Sequence, residues 1–198
     1  MQKRSEETRN LITRVSLDLF SRTGYEATSV AEICQTAGVS KGAFYHHFPT
    51  KQAVFMGLLN TWLEFLEVQI KNIQKEAESV PHAILKMADL MEQVFQQASG
   101  RLPMFLEFWT QASHDPIVWQ ALIAPYQRYQ EHFKELIEAG ISEGSIKDKK
   151  PEAASRALVA MGVGLLLMGV LEPNAESRYR MPTESIEILL DGLETEKA

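Results

Sequence analysis

The stretch Thr28–Lys51 reads TSVAEICQTAGVSKGAFYHHFPTK and decides the fold of this chain. Four apolar residues recur at helical spacing in its first half and predict a short helix: Val30, Ile33, Cys34 and Ala37. Gly38 then predicts a turn, and Ser40 is a good N-cap for a second helix that begins at the next residue. Phe44 and Phe48, four residues apart, predict the buried side of that second helix.

Two short helices joined by a glycine-containing turn are typical of a helix-turn-helix, whose second helix enters a DNA major groove. The small residues Gly42 and Ala43 allow this helix to approach base edges closely, and Ala43 can touch a thymine methyl group. Lys41 can donate to guanine or to a phosphate. The outer side of the second helix therefore predicts the DNA-contacting residues Lys41, Gly42, Ala43, Tyr45 and His46.

Phosphate contacts are predicted at the ends of the neighbouring helices. Thr28 and Ser29 precede the first helix, whose free N–H groups suit a phosphate, and Lys51 opens the helix that follows the motif. His46 and His47 do not predict a metal site, because adjacent residues on a helix point about 100° apart. No acidic or cysteine cluster joins these two histidines in the sequence.

The region from about Thr8 to Leu59 closely resembles the tetracycline-repressor (TetR) family of bacterial transcription regulators. The resemblance is carried by LITRVSLDLFSRTGYEATS, by AGVSKGAFYHHF and by Lys51. It implies that the positions named above contact an operator. Many family members carry Arg or Lys where this chain has Ala31 and Glu32, so no further contact is expected from that turn. The rest of the chain resembles the family in its helical layout and in the looser pattern FLEFWTQASHDP.

The charge of the chain is unevenly distributed. The formal net charge is −6, but residues 1–51 hold seven Lys/Arg against five Asp/Glu, and the remaining residues hold 13 against 21. Phosphate affinity depends on local cations rather than on the total, so the acidic balance does not exclude DNA as a partner. The acidic remainder is expected to stay away from the DNA backbone.

Composition also favours a cytoplasmic location. The single cysteine, Cys34, excludes an internal disulfide and fits a reducing compartment, and its spacing predicts a core residue. The start of the chain is charged and lacks the apolar core of a signal peptide. The longest apolar run, Ala157–Leu171, is shorter than the roughly 20 residues of a membrane span. We therefore expect no membrane association.

Helical periodicity extends through the whole chain and predicts an all-α fold of about nine helices. Residues 1–50 are predicted to form a DNA-binding three-helix bundle, completed by the start of a long fourth helix. Residues 51–198 are predicted to form a larger effector-binding and dimerisation domain. Pro125 is expected to kink or split the seventh helix, because proline lacks an N–H and clashes with the preceding turn. Gly140 is expected to end that helix.

Large, soft side chains are concentrated on helices 5 to 7, and Trp62 and Phe65 on helix 4 join them. One interpretation is ordinary core; the other, which the family resemblance favours, is an apolar effector pocket that Met side chains can reshape. Glu107 lies outside the main apolar face of helix 6 and is expected to be exposed or at an edge. The predicted effector-binding residues are Trp62, Met91, Phe95, Phe105, Phe108 and Trp109.

The last two helices predict a homodimer contact. Glycines on helix 8 allow close approach of another helix, and apolar residues cover more than one of its faces. One face would be buried within the subunit and another against a second copy. The predicted interface residues are Val159, Gly162, Val163, Leu166, Ile186, Leu189, Leu190 and Leu193.

Together these features predict a homodimeric repressor that a small lipophilic effector releases from a pseudo-palindromic operator. The alternative is a DNA-binding structural or partner-binding protein of the same fold without effector control. No nucleophile–base pair, metal cluster or phosphate-binding loop is recognisable in the sequence, so neither an enzyme nor a cofactor is expected.

Overall fold

The computed structural model describes residues 2–97, 103–147, 150–171 and 180–193. Over these residues the fold is all-α, as the sequence predicts, and consists of nine helices. They are α1 (Gln2–Thr23), α2 (Val30–Ala37), α3 (Lys41–His47), α4 (Lys51–Glu76), α5 (Val80–Gln97), α6 (Pro103–Ala112), α7 (Pro116–Glu143), α8 (Pro151–Leu171) and α9 (Met181–Leu193).

The chain forms two compact units. The first holds Met1–Phe65 with Gly100–Ala121, and the second holds Leu66–Ser99 with Leu122–Ala198. The first unit therefore contains α1 to α3, the beginning of α4, α6 and the beginning of α7. The functional division into residues 1–50 and 51–198 stays a prediction.

The boundaries of α1 to α3 follow the local signals in the sequence. Gly24 follows α1 with φ +85°, a left-handed conformation that favours glycine, and donates its N–H to the carbonyl of Phe20 at 3.0 Å. Ser29 caps α2 by accepting from the N–H of Glu32, and Ser40 caps α3 by accepting from the N–H of Ala43. Gly38, at φ +64°, forms the predicted turn, and the predicted cap at Ser40 is confirmed.

An aromatic cluster forms the core of the first unit. The ring of Phe55 on α4 lies 4.5 Å from Tyr25, 6.0 Å from Phe20 and 4.7 Å from Phe108, measured between centroids. Phe44 of α3 is also fully buried. Burying each Phe contributes about 1.5–3 kcal/mol, so these rings fix the helices that carry them.

Of the two outcomes expected at Pro125, the split does not occur, because α7 continues through this residue to Glu143, and the kink stays a prediction. A proline inside a helix costs about 3 kcal/mol. Pro125 and Leu122 are buried, as is Ile137 further along the helix, so tertiary packing outweighs the lost hydrogen bond.

Gly140 does not end α7 either. A Cβ at this position would lie 2.5 Å from Cγ1 of Ile146 and 3.1 Å from Cβ of Val80, so the glycine serves close packing. The helix ends three residues later, before Gly144 at φ +81°.

The core of the second unit is built from four helices, α5, α7, α8 and α9, and one loop residue. Ile137 of α7 and Ile84 of α5 are almost fully buried, and Leu158 of α8 packs into the same cluster. The other buried members are Val80, Ala88, Leu136, Ile146, Ala154, Ile186 and Leu190.

Candidate DNA interface and effector region

The outer side of α3 carries the predicted DNA-reading residues. Lys41, Gly42, Tyr45 and His46 are exposed, with 53% of Tyr45 accessible, and Ala43 is half-buried. The opposite side is anchored in the core, since Phe44 and Phe48 are at most 3% exposed. The helix is thus fixed from behind while its cationic, small and aromatic side chains remain free to meet DNA.

Thr28 and Ser29, which were both predicted to contact phosphate, have different environments at the start of α2. Thr28 is 1% exposed, donates its hydroxyl to the carbonyl of Gly24 at 2.8 Å and lies 2.9 Å from the hydroxyl oxygen of Thr23. Such a buried hydroxyl cannot reach a phosphate, so Thr28 has a structural role. Ser29 is exposed, and its hydroxyl can still donate while its oxygen caps Glu32. The phosphate contact predicted here therefore passes to Ser29 and to the first N–H groups of α2.

Lys51 is turned inward rather than towards solvent. Its ammonium donates to the carbonyl of Tyr25 at 2.6 Å and to that of Thr28 at 3.0 Å, and lies 3.5 Å from that of Glu26. The same nitrogen sits 4.1 Å from the centre of the Tyr25 ring, a cation–π contact. Lys51 thus ties the start of α4 to the loop between α1 and α2. Sequence reasoning missed this role because the carbonyls belong to residues 23 to 26 positions away.

The predicted effector-binding residues are distributed over both units. Trp62, Phe108 and Trp109 belong to the first and Met91 to the second, whereas the side chains of Phe95 and Phe105 lie outside the described part. Phe108 is 4% exposed and packs on Phe55, so it serves the core of the first unit. Trp62, Met91 and Trp109 are half-buried. That these residues line one pocket stays a prediction.

Glu107 faces the turn between α1 and α2. Its Oε2 atom lies 3.6 Å from the place that a Cβ at Gly24 would occupy, and its Oε1 accepts from the amide of Gln111 at 3.0 Å. Burial, together with the charges of Glu26, Asp115 and Glu107, raises the pKa of Tyr25. The half-buried carboxylate therefore belongs to the support of the helix-turn-helix.

Several predicted dimer residues lie inside the subunit, which corrects the sequence-based assignment. Ile186 and Leu190 belong to the core of the second unit at 7% and 2% exposure, and Val159 is equally buried at 8%. Gly162 faces α5, because a Cβ there would lie 3.5 Å from Cε of Met91. Periodicity alone could not assign these faces, since α8 is apolar all round. The remaining predicted residues, which are half-buried, are Val163, Leu166, Leu189 and Leu193.

A different face of α8 is exposed and free of charge over its last four turns. The exposed or open positions recur at spacings of three and four, as expected for one side of a helix: Ala153, Ala157, Ala160, Gly164, Leu167, Met168 and Leu171. Leu171 is 68% exposed, and Ile188 on α9 is 75% exposed. By length and composition α8 could cross a membrane, but core helices of globular proteins meet the same criteria. We call the seven α8 positions and Ile188 the outer apolar face.

The second unit also carries a small cleft, lined by the stems of charged and aromatic side chains, that the sequence analysis did not identify. It measures about 110 Å³ and is lined by Glu67, Ile70 and Lys71 of α4 and by Arg128, Tyr129 and His132 of α7. Glu67 and Lys71 pair at 2.6 Å across its edge. Burial lowers the pKa of His132, and burial together with the charge of Glu67 raises the pKa of Tyr129. In the sequence, the i,i+3 and i,i+4 spacings of these residues place each set of three on one side of its helix, and this was the signal that could have predicted the cleft.

The second helix of a helix-turn-helix is exposed here on its cationic and aromatic side and buried on the other. This arrangement is typical of DNA-binding regulators of the helix-turn-helix class. Comparison with known proteins agrees with this class. Residues 12–57 match the model of bacterial regulatory proteins of the tetR family, and residues 84–195 match the model of the C-terminal part of BetI-type transcriptional repressors. The chain therefore belongs to the TetR family of transcriptional regulators.

Individual relatives are distant. The uncharacterised regulator YuxN of Bacillus subtilis is 36% identical over 86 residues, 43% of this chain but only 30% of that protein. The regulator UidR of Escherichia coli is 23% identical over 167 residues, 84% of this chain and 83% of that protein. A regulator from Saccharomonospora viridis in complex with choline has the same fold, with a TM-score of 0.84 at 17% identity, covering 96% and 99% of the two chains.

Proposed function

We propose that this protein is a homodimeric, ligand-responsive transcriptional repressor. The observation that carries the proposal is the exposure of Lys41, Tyr45 and His46 on a helix whose other side is anchored by Phe44 and Phe48. Two copies of α3 would enter successive major grooves of a pseudo-palindromic operator, about 34 Å apart. Lys41 would read a base, and Tyr45, His46 and Ser29 would contact phosphates.

The outer apolar face supports the proposal of a dimer. Large apolar side chains such as Leu171 and Ile188 are costly to leave in water, and a second copy brings an identical face for them to pack against. The alanines and Gly164 in the N-terminal part of the outer apolar face would let the helices of two copies approach closely. Leu167 and Met168 would fill the space between the helices in its C-terminal part. This arrangement is a four-helix contact made from α8 and α9 of each chain.

A small lipophilic effector is proposed as the signal. Trp62 and Trp109 of the first unit are half-buried, and large aromatic side chains suit an apolar site. The choline complex of the Saccharomonospora viridis regulator supports a ligand-binding role for this fold and adds small cations to the compounds worth testing. Control requires only that the effector bind the released state of the protein more tightly than the DNA-bound state, by about 1–3 kcal/mol.

The test combines operator selection with ligand release. A randomised-site selection should return a pseudo-palindrome for the wild type, and Lys41→Ala should relax one position in each half-site. Choline and neutral lipophilic compounds of similar size are then screened for release of the selected operator. Trp109→Ala should raise the effective concentration of an active compound while operator affinity stays close to that of the wild type.

The outcomes separate the two candidate functions. A selected operator that no compound releases would favour the DNA-binding structural or partner-binding alternative. Failure to select any sequence would overturn the DNA-reading assignment of α3. Release of the Trp109→Ala variant at the wild-type concentration would place the effector elsewhere.

A further inference from the structure

Arg9 occupies an unexpected position at the end of the reading helix. The central carbon of its guanidinium lies 5.0 Å from the centre of the Phe48 ring, and the Arg9 side chain is exposed. Phe48 itself is 3% exposed and caps α3 by donating its N–H to the carbonyl of Phe44 at 2.9 Å. A residue of α1 is thus held by stacking against the C-terminal end of α3.

This contact brings a cation to the C-terminal end of α3. Tyr45 and His46 occupy the last turn of the helix and are exposed, and Phe48 follows them closely in the chain. The carbonyl end of a helix also attracts a positive charge, which adds to the stacking on the ring. The guanidinium is therefore at the same end of α3 as Tyr45 and His46, two of the groups proposed to meet the DNA backbone.

Neither lysine of the helix-turn-helix stretch, Lys41 or Lys51, supplies a cation at this end of α3. Lys41 lies at the opposite end of the helix, and the ammonium of Lys51 is held by backbone carbonyls. Among the ion pairs within the described ranges, none includes Arg9, so its charge is not neutralised by a carboxylate there. A guanidinium held in place in this way can form two parallel hydrogen bonds to one phosphate.

We propose that Arg9 is a phosphate-contacting residue that clamps the DNA backbone beside the C-terminal end of α3. The inference rests on the DNA interface proposed above and adds a contact from α1 to it. Phe48 acts as the positioning residue, because its ring fixes the guanidinium before DNA arrives and reduces the entropy lost on binding.

The experiment is a salt titration of DNA binding with full-length protein and two unrelated duplexes of about 30 base pairs, long enough for two half-sites. Arg9→Ala should weaken binding to both duplexes by the same factor. It should also reduce the slope of log K against log salt by about 0.9 for every phosphate that each protomer no longer neutralises. Arg9→Lys should keep most of the slope but bind more weakly, because an ammonium lacks the bidentate fork.

Two further variants distinguish a DNA contact from a structural role. Arg14→Ala removes the same charge from an exposed position of α1 that points about 140° away, and it should leave the slope unchanged. Arg9→Met keeps an apolar cover on Phe48 and should retain the wild-type melting temperature, yet show the same lowered slope as Arg9→Ala.

An unchanged slope in Arg9→Ala and Arg9→Met, with the wild type still binding, would overturn the proposal for Arg9 alone. An equal reduction of the slope in Arg14→Ala would also overturn it, because the effect would then reflect net charge rather than position. Absence of binding by the wild type would instead contradict the DNA interface on which the inference rests.

Discussion

The side-chain amide of Gln52 donates a hydrogen bond of 2.6 Å to Oδ2 of Asp115, which joins the first turn of α4 to the N-cap of α7. The other oxygen of Asp115 accepts from the N–H of Ile117 at 2.7 Å. One carboxylate therefore holds two helices at once. Its partner Gln52 is the residue after Lys51, which fastens the start of α4 to the loop between α1 and α2. We expect this link to help to hold α3 in place.

Substitutions at Gln52 and Asp115 should be non-additive. Gln52→Ala removes one partly buried hydrogen bond and should lower the free energy of unfolding by about 1 kcal/mol. Asp115→Ala also removes a helix cap and should cost about 2 kcal/mol. The double variant should cost no more than Asp115→Ala, because the two single variants remove the same hydrogen bond. Urea denaturation of the four proteins measures the coupling, and strictly additive effects would show that the bond contributes nothing to stability.

The sequence predicted most of the fold because its helices carry local boundary signals. Gly24, Ser29 and Ser40 act through neighbouring residues, so their roles can be recognised from the order of residues alone. The long-range roles were not predictable. The carbonyl partners of Lys51 and the ring beneath Arg9 depend on how α1, α3 and α4 pack, which helical periodicity does not specify.

The dimer faces show the same limit. A helix with apolar residues on all sides, as in α8, does not reveal which side is turned inward, so Gly162 was assigned to the wrong face. On α9 the apolar period led us to assign Ile186 and Leu190 to the dimer interface, but both residues belong to the subunit core. The large apolar side chain of α9 that is exposed is Ile188, which lies outside that set of residues.

Lys51→Met should reduce stability rather than the salt dependence of DNA binding. The substitution leaves two carbonyls without the ammonium that bonds to them and removes the cation from the Tyr25 ring, so the melting temperature should fall. Lys41→Met removes an exposed cation and should instead lower the salt slope while the melting temperature stays near that of the wild type. A stable Lys51→Met variant with a reduced salt slope would restore Lys51 as a phosphate contact.

Leu167→Glu should convert a dimer into folded monomers. The side chain lies in the outer apolar face at 39% exposure, so within one subunit the carboxylate can remain in water, whereas in the proposed interface it would be buried without a partner. Sedimentation should show half the mass with an unchanged helical circular dichroism spectrum. Ile117→Glu is the matched control, because this equally apolar residue is 65% exposed outside α8 and α9. Monomers in both variants, or dimers in both, would argue against the outer apolar face.

His132 should make stability depend on pH. Burial lowers its pKa below the ordinary value of 6.5, Lys71 lowers the pKa further, and Glu135 and Glu67 act in the opposite direction. The unfolded chain therefore binds the proton more readily than the folded one. The contribution of neutral His132 to the free energy of unfolding is fully present above pH 6.5 and is lost as the pH falls through the lowered pKa of the folded state.

The comparison is between His132→Gln and the same change at exposed His114. Melting temperatures between about pH 5 and pH 8 should vary less for His132→Gln than for the wild type, because the titrating group is gone. His114→Gln should retain the wild-type profile. An identical pH profile in His132→Gln would exclude His132 as the source of any acid destabilisation.

Gly140→Ala should be among the most destabilising single-methyl additions in this chain. The new Cβ would meet Cγ1 of Ile146 at 2.5 Å and Val80 at 3.1 Å, and both neighbours are buried in the core of the second unit. Overpacking of this kind costs about 1–3 kcal/mol, which exceeds the gain of about 1 kcal/mol that alanine brings to a helix. Gly57→Ala is the matched control, because it also lies within a helix but has no atom within 4 Å of the added Cβ. Thermal unfolding should therefore show a lower melting temperature for Gly140→Ala and an equal or higher one for Gly57→Ala. A Gly140→Ala protein as stable as the wild type would mean that the Ile146 loop can yield at little cost.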